Sequence, residues 1–159
     1  MTPDKHAVHF SSVTDEWATP PEFVDRLAVE VGGFDLDPCC LPSSAKAPTF
    51  YTPETDGLAS PLFGRVWLNP PYGRTIGAWT SRAREAVESG AADLVVGLLP
   101  ARTDTEWWHR DVLPAAEVRL VRGRIRLGTA TTGAPFPSAV VFWRRHDLLA
   151  PALTTMTAR

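Results

Sequence analysis

The sequence predicts an α/β fold, with strands and helices alternating along one domain. The chain has 159 residues, a length typical of a single domain with a substantial hydrophobic core. Residues 93–99 form a continuous apolar run, which is typical of a strand covered on both faces. Residues 23–31 repeat apolar side chains at helical spacing. In α/β folds, ligands bind at the carboxyl ends of the strands, so the residues that follow each strand form the candidate site.

Each element has a local signal. Thr19, followed by Pro20, Pro21 and an acid, predicts a helix start capped by the threonine hydroxyl, and Gly32-Gly33 predicts the helix end. A short strand at 34–37 ends in Asp37, and an irregular connection rich in Pro, Ser and Thr follows it. The other predicted elements are a brief strand near 49–51, a strand at 65–68, a helix at 76–89, a strand at 93–99, a helix ending near Val112, and strands at 118–121 and 139–143.

The flanking segments set the predicted domain boundaries. We expect a flexible arm over residues 1–13, one folded domain over 14–146, and a frayed tail over 147–159. The sequence has no apolar run long enough to cross a bilayer, and its first residues lack the apolar core of a signal peptide. We therefore expect a cytoplasmic protein with no membrane partner.

The cysteines and histidines predict neither a disulfide nor a metal site. Cys39 and Cys40 are adjacent, and neighbouring cysteines rarely pair, so free thiols in a reducing compartment are expected. The chain has no Cys-x-x-Cys motif and only four histidines. We therefore expect no bound metal.

Charge is distributed unevenly along the chain. The formal net charge of −2 gives no global sign of a nucleic-acid partner. Residues 1–100 carry 7 basic and 13 acidic side chains, whereas residues 101–159 carry 9 and 5. Most of the later excess comes from Arg119, Arg122, Arg124, Arg126, Arg144 and Arg145. These arginines suit either a phosphate-facing surface or the solvated edge of a sheet, and charge alone does not separate the two interpretations.

The segment Asn69-Pro70-Pro71-Tyr72 directly follows the predicted strand at 65–68. An Asn oxygen and a proline carbonyl can accept the two N–H bonds of a planar exocyclic amine, which draws the nitrogen toward tetrahedral geometry and frees its lone pair. Consecutive prolines hold that carbonyl rigidly, and a tyrosine offers a face on which a flipped base can stack. The alternative is a proline turn that only closes the strand. The position after an apolar strand, downstream of another strand ending in Asp37, favours the functional interpretation.

The chain resembles the small phage-type DNA N6-adenine methyltransferases and, more broadly, the amino-methyltransferases that use S-adenosylmethionine on a Rossmann-like fold. The resemblance implies transfer of a methyl group to N6 of a flipped adenine in double-stranded DNA, with site-specific or loosely specific recognition, in a bacterial or phage-infected cytoplasm. It runs from Asp15 to Trp143, through the ordered segments 15–20, 36–39, 55–58, 69–73, 99–107, 123–124 and 134–138.

The resemblance also implies roles for particular residues. The implied catalytic pocket is Asn69, Pro70, Pro71 and Tyr72. The implied cofactor-binding set is Trp17, Thr19, Pro20, Asp37, Pro38, Cys39, Asp56 and Asn69.

Three assignments keep a structural alternative. Asp37 suits a helix cap as well as the cofactor, and Asp56 suits a simple Asp-Gly turn. Arg102 suits either a phosphate or an ion pair with Asp104. The candidate DNA-binding side chains are Arg102, Arg122, Arg124 and Arg126, of which the last three alternate along an apparent strand. We expect Trp79, Trp107 and Trp108 to pack in the core.

The sequence departs from the broader pattern in two places. The loop after Asp37 has Cys39-Cys40 where a Gly-x-Gly is usual, and the gap from Asp37 to Asn69 is short, so we expect a small, trimmed sheet. The same pocket chemistry suits a protein glutamine, an RNA base or N4 of cytosine. A catalytically inactive module that binds DNA or cofactor is the alternative of a different class. The sequence does not predict an oligomeric state.

Overall fold

The computed structural model describes residues 18–115, 117–145 and 152–158. The predicted arm at 1–13 and the candidate cofactor residue Trp17 lie outside these residues. Within these residues the chain forms two α-helices and seven strands: α1 Pro21–Val31, β1 Leu36–Asp37, β2 Thr49–Phe50, β3 Gly64–Leu68, α2 Ile76–Glu88, β4 Ala92–Pro100, β5 Glu117–Arg122, β6 Ser138–Arg144 and β7 Ala152–Thr157. A 3-10 turn, Pro53–Thr55, and a five-residue π-helix, Trp108–Val112, complete the set. The predicted mixed α/β class is confirmed.

The seven strands form one sheet in the order β2-β1-β3-β4-β6-β5-β7. Strands β2, β1, β3 and β4 run parallel, and β6 runs antiparallel to both β4 and β5. Ala139 of β6 pairs with Leu99 of β4 on one side and with Leu120 of β5 on the other. The carboxyl ends of β3, β4 and β5 therefore meet at one edge of the sheet, where Asn69, Arg102 and Arg122 emerge.

Each face of the sheet packs against a different helix. Along β4, Val95 and Leu99 belong to the core on the α2 face, whereas Val96 and Leu98 belong to the core on the α1 face. The first face is completed by Ile76, Trp79 and Ala83 of α2, and the second by Phe23, Val24 and Leu27 of α1. Because both faces are covered, the strand reads as the continuous apolar run seen in the sequence.

Helix α1 begins and ends next to the predicted residues, but Thr19 does not cap it. No side chain caps the start, where the Pro20 carbonyl accepts hydrogen bonds from the Phe23 and Val24 amides. The Thr19 side chain is buried and bonds Asn69 instead. Gly32 ends the helix as predicted, because its φ of 82° is a left-handed conformation that favours glycine.

Only the end of the predicted helix, at Val112, is confirmed: the element that ends there is a five-residue π-helix, Trp108–Val112, and neither Thr103 nor Asp104 caps it. The fully buried Asp111 carboxylate lies in this turn. It accepts hydrogen bonds from Thr80 Oγ1 at 2.7 Å, Ser81 Oγ at 3.1 Å, Arg84 Nε at 3.0 Å and Arg110 Nη2 at 2.8 Å. This network joins the π-helix to α2 and thereby positions the segment that follows β4.

Two expectations for the second half of the chain are wrong. Residues 152–157, expected within a frayed tail, form β7, which pairs in parallel with the whole of β5. The apparent strand carrying Arg122, Arg124 and Arg126 ends at Arg122, and residues 123–127 are irregular. The alternation of exposed arginines with buried Ile125 and Leu127 reflects packing of this segment against the α1 face of the core. No helix in the described part of the chain is long and apolar enough to cross a membrane.

Candidate active site

Asn69 lies directly after β3 and is 6% exposed. Its side-chain Nδ2 donates to Thr19 Oγ1 at 2.8 Å, and its Oδ1 accepts from the Tyr72 hydroxyl at 2.8 Å. These two bonds fix the orientation of the amide, so the acceptor oxygen is held in place. A carbonyl oxygen can accept two hydrogen bonds, and the bond from Tyr72 does not exclude a second donor.

The two prolines place a second acceptor beside this amide. Pro70 is buried and Pro71 is half-buried. Among the described residues, no group donates a hydrogen bond to the Pro70 carbonyl. The following residue, Pro71, restricts the backbone of Pro70 and so limits the directions that the Pro70 carbonyl can take. The segment therefore carries a side-chain acceptor on Asn69 and a main-chain acceptor on the next residue.

Tyr72 is buried, and the predicted open aromatic face is not seen. The ring is 7% exposed and meets the edge of Phe136 at a centroid distance of 5.4 Å and an interplanar angle of 81°. The hydroxyl lies 2.8 Å from Asn69 Oδ1 and 3.0 Å from the Leu98 carbonyl oxygen. Burial raises the pKa of Tyr72, and nearby Cys39 raises it further. The hydroxyl thus stays protonated and orients Asn69.

Asp37 is the last residue of β1, and its side chain holds the loop that follows this strand. The carboxylate is buried and accepts hydrogen bonds from the Lys46 amide at 3.0 Å and the Cys39 amide at 3.4 Å. No helix follows β1, so the helix-cap alternative for Asp37 is wrong, and its local role is to close a loop. Burial raises the pKa of Asp37 to about 6, and the hydrogen bonds from Lys46 and Cys39 oppose that rise.

A narrow polar crevice lies between the ends of β1 and β3. It brings Asp37, Thr19 and Asn69 together, as expected, with Cys39 on its wall. Ser44 and Lys46 also line it, and sequence reasoning missed both. They come from the irregular loop and carry no motif, so only the folding of that loop onto Asp37 reveals them. The lining residues include a carboxylate (Asp37), an ammonium group (Lys46) and two hydroxyls (Thr19 and Ser44). These groups are complementary to the charged ammonium and carboxylate of an amino acid.

Asp56 and Gly57 lie in a turn that packs against the loop after β1. Asp56 is exposed, with a φ of 48°, and its main-chain and side-chain oxygens both accept from Ala59 N. These contacts are those of the turn alternative. Gly57 packs on Pro38 so closely that an added Cβ would lie 1.9 Å from the Pro38 carbonyl oxygen. Glycine is therefore required here, and it brings Asp56 to the end of β1.

The thiols of Cys39 and Cys40 are buried and free. Burial raises the pKa of Cys39 well above its usual value and that of Cys40 to about 12, and nearby Asp37 adds to both shifts. Neither thiol can serve as a nucleophile at neutral pH, and both pack as small apolar groups. No group of three or more His, Cys, Asp or Glu side chains in residues 18–115, 117–145 and 152–158 could hold a metal ion.

The arginines divide into paired and unpaired sets. Arg119 pairs with Glu30 and Glu117 and lies over the Phe142 ring at 4.3 Å, so it supports the sheet and does not form a phosphate-facing surface. Arg144 likewise pairs with Glu117 at 3.6 Å.

Four arginines near the sheet edge where β3, β4 and β5 end are exposed and form no ion pair with the described carboxylates. The predicted alternative pair between Arg102 and Asp104 is not among the ion pairs of the described chain. Arg122, Arg124 and Arg126 lie at the end of β5 and in the irregular segment after it. The Gly128 amide anchors that segment by donating to the Ala18 carbonyl at 2.8 Å. The set consists of Arg102, Arg122, Arg124 and Arg126.

The tryptophans predicted to be core residues are only partly so. Trp79 and Trp108 are buried, as expected. Trp107 is half-buried and lines an open groove beside α2, together with Arg74 and Arg102. Arg74 follows Tyr72 by two residues, and this adjacency is a signal that could have identified it from sequence.

Comparison with known proteins gives two matches. The sequence model of a family described as DNA N-6-adenine-methyltransferase (Dam) matches residues 7–155. A protein named DNA N-6-adenine-methyltransferase, from Escherichia phage T1, is 34% identical over 110 residues. The alignment covers 67% of this chain and 44% of that relative, so the chain spans less than half of the relative's length.

Proposed function

Because the chain belongs to the DNA N-6-adenine-methyltransferase family, we propose that it transfers a methyl group to N6 of adenine in DNA. The observation that carries the proposal is the oriented amide of Asn69 at the end of β3, whose Nδ2 donates to Thr19 and whose Oδ1 accepts from Tyr72. We propose that the carbonyl of the next residue, Pro70, is the second acceptor, restricted by the proline backbone. An exocyclic amine has two N–H bonds, which this pair can accept together.

The chemistry of the pocket follows from what these acceptors do to an amine. The adenine amine is a poor nucleophile because its lone pair is delocalised into the ring. Accepting both N–H bonds out of the ring plane favours the tetrahedral form and localises the lone pair on nitrogen. The acceptors are preorganised, so little reorganisation is needed as positive charge develops on that nitrogen. Asn69 is neutral, which avoids the cost of an unpaired carboxylate in a buried site.

We propose S-adenosylmethionine as the methyl donor, with its amino-acid end in the crevice at Asp37. The cofactor supplies an electrophilic methyl group. The donor set fits: Asp37 and Lys46 oppose the charges of an ammonium and a carboxylate, with the hydroxyls of Thr19 and Ser44 beside them. The crevice is narrow, so the loop that Asp37 closes must open to admit the rest of the molecule. The contact of Gly57 with Pro38 joins the Asp56 turn to the loop after β1, and we propose that Asp56 contacts the cofactor there.

A Rossmann-like arrangement is consistent with the sheet. The parallel strands β2, β1, β3 and β4 place the candidate site at their carboxyl ends, and an antiparallel β6 lies between β4 and β5. Strands β1 and β2 have two residues each, but the sheet has seven strands, so the expectation of a small sheet is wrong. We propose double-stranded DNA as the substrate, with the target base flipped toward Asn69. Stacking of that base on Tyr72 requires the contact with Phe136 to open.

The first test is the identity of the product. We expect the purified chain, given S-adenosylmethionine and unmethylated DNA, to produce N6-methyladenine. Mass spectrometry of nucleosides after complete digestion measures it, with Asn69→Ala as the matched control. N4-methylcytosine as the modified base would contradict the adenine assignment. Methyl label in RNA or in protein glutamine, with none in DNA, would assign the other acceptors.

A second test addresses the cofactor site. We expect calorimetric titration with S-adenosylhomocysteine to give one site per chain. Asp56→Asn preserves the oxygen that Ala59 N bonds but removes the charge, so we expect about tenfold weaker binding from the loss of one charge-assisted hydrogen bond. Unchanged affinity would leave Asp56 as a turn residue. No heat of binding to the wild-type chain, with or without DNA, would contradict the cofactor assignment.

A further inference from the structure

A polar groove of about 560 Å³ lies beside the Asn69–Tyr72 segment. The start of α2 forms one side, and Glu106, Trp107 and Arg110 form the other. Gly73 and Arg74, which directly follow Tyr72, line its near end. The groove therefore opens at the same edge of the sheet as the paired acceptors.

The groove carries positive charge that is not neutralised within the described chain. Arg74 and Arg102 are exposed, and neither forms an ion pair or a side-chain hydrogen bond with any other described residue. Arg110 also lines the groove, but its Nη2 lies 2.8 Å from Asp111 Oδ2, so its charge is balanced. The acidic side chain in the lining is Glu106. Two unpaired guanidiniums against one carboxylate leave the groove cationic, although the whole chain has a net charge of −2.

The shape of the groove is fixed by close packing. At Gly77 an added Cβ would lie 3.4 Å from the Trp107 Cβ, an ordinary van der Waals distance, so α2 lies close to the Glu106–Arg110 segment. Arg110 Nη2 also bonds the Gly77 carbonyl at 3.1 Å and Ser81 Oγ at 2.8 Å across this contact. The two walls of the groove are thus tied together by Arg110.

Arg102 is also electrostatically close to the catalytic segment. Burial and Cys39 raise the pKa of Tyr72, and the charge of Arg102 opposes them. Arg102 follows the carboxyl end of β4, the strand next to β3, so a group bound to Arg102 would lie close to the Asn69–Tyr72 segment. An anion with repeated charges, entering past Asn69 and continuing along the groove, matches this arrangement.

We propose that the groove binds the sugar-phosphate backbone of the DNA strand that carries the target base, with Arg74 and Arg102 each contacting a phosphate. The proposal rests on the proposed function, because it assumes that DNA reaches Asn69. A guanidinium presents paired N–H donors that match phosphate oxygens. The exposed Arg122, Arg124 and Arg126 lie on the α1 side of the sheet edge, whereas the groove lies on the α2 side. The catalytic segment lies between two basic surfaces.

The salt dependence of DNA binding tests the groove. Fluorescence anisotropy with a fluorescein-labelled DNA duplex of mixed sequence gives Kd at several salt concentrations for wild type, Arg74→Gln and Arg102→Gln. The matched control is Arg145→Gln, an exposed arginine after β6 at the opposite end of that strand from the active edge. We expect each groove variant to bind about tenfold more weakly at low salt and to lower the slope of log affinity against log salt by ~0.9. Arg145→Gln should change neither.

Steady-state kinetics separates a phosphate contact from a contact with the reacting atoms. We expect KM for DNA to rise in both groove variants while kcat stays within a few-fold of wild type. If the wild-type chain methylates DNA but both groove variants keep the salt slope and KM of Arg145→Gln, the groove proposal is wrong and the proposed function stands. If the wild-type chain transfers no methyl group to DNA, the proposed function itself fails.

Discussion

Replacing Asn69 with alanine should reduce methyl transfer about 10²–10³-fold, the usual effect of removing one preorganised group that stabilises a transition state. The substitution removes one of the two acceptors for the target amine and leaves the Pro70 carbonyl. Asn69 also lines the crevice proposed for the cofactor, but the charged groups there belong to Asp37 and Lys46, so the affinity for S-adenosylhomocysteine should stay within a few-fold of wild type. Single-turnover transfer to DNA measures the rate, and calorimetry measures the affinity.

Thr19→Val is the companion variant for this prediction. It removes the Thr19 hydroxyl, to which Asn69 Nδ2 donates at 2.8 Å, but it leaves the acceptor oxygen of Asn69, Oδ1, in the chain. We expect a loss of about tenfold, corresponding to one hydrogen bond that orients the amide. Thr19→Ser preserves the hydroxyl and should behave like wild type. Near-normal turnover by Asn69→Ala would refute the assignment of the pocket, whatever the Thr19 variants do.

Replacing Asp111 with alanine should lower the free energy of unfolding by about 3 kcal/mol. This is the lower end of the range for breaking a buried ion pair, because Arg84 and Arg110 both retain some exposure to solvent. The buried carboxylate accepts hydrogen bonds from four side chains on two elements, and its loss leaves Thr80, Arg84 and Arg110 without their shared acceptor. The midpoint and slope of urea denaturation measure the effect.

Glu88→Gln is the matched control, since Glu88 pairs with the same Arg84 but is 54% exposed. Exposed pairs of this kind contribute about 0.3–0.5 kcal/mol, so the control should remain close to wild type. Equal stability of Asp111→Ala and Glu88→Gln would show that the buried network does not hold the π-helix to α2.

The same carboxylate predicts a pH dependence. Burial favours protonation of Asp111, but hydrogen bonds from Arg110, Thr80 and Arg84 outweigh it, so the pKa lies below its usual value of 3.8. The stabilisation from Asp111 is therefore complete above that value and is lost as the pH falls through the lower pKa of the folded state. Thermal unfolding below about pH 4 should show a smaller loss of stability in Asp111→Ala than in wild type.

The limits of sequence reasoning are clearest at Thr19 and Tyr72. Thr19 stands where a helix cap is expected, and its hydroxyl is used by Asn69, 50 residues away in sequence. Tyr72 stands where an aromatic face is expected, and its ring is buried against Phe136. Both corrections involve a partner distant in sequence, which local spacing cannot identify.

The C-terminal segment gives the same lesson for the fold. Residues 152–157 mix three threonines with Ala, Leu and Met near the end of the chain, where the sequence predicts fraying. Pairing with β5 over six residues supplies the hydrogen bonds that make the segment a strand. A segment with weak local preference takes its structure from the edge that it meets.

The sequence by itself determined the order of the strands and helices up to β6, the acid at the end of β1 and the Asn-Pro-Pro-Tyr segment at the end of β3. Apolar periodicity, prolines and glycines act within a few residues and can be read without a structure. The tertiary structure alone decided that Ser44 and Lys46 join Asp37, that Thr19 and Tyr72 orient Asn69, and that Arg74, Arg102 and Trp107 share a groove. The physical reason is that parallel strands bring their carboxyl ends to one edge, and which loops meet there depends on the packing of the whole sheet.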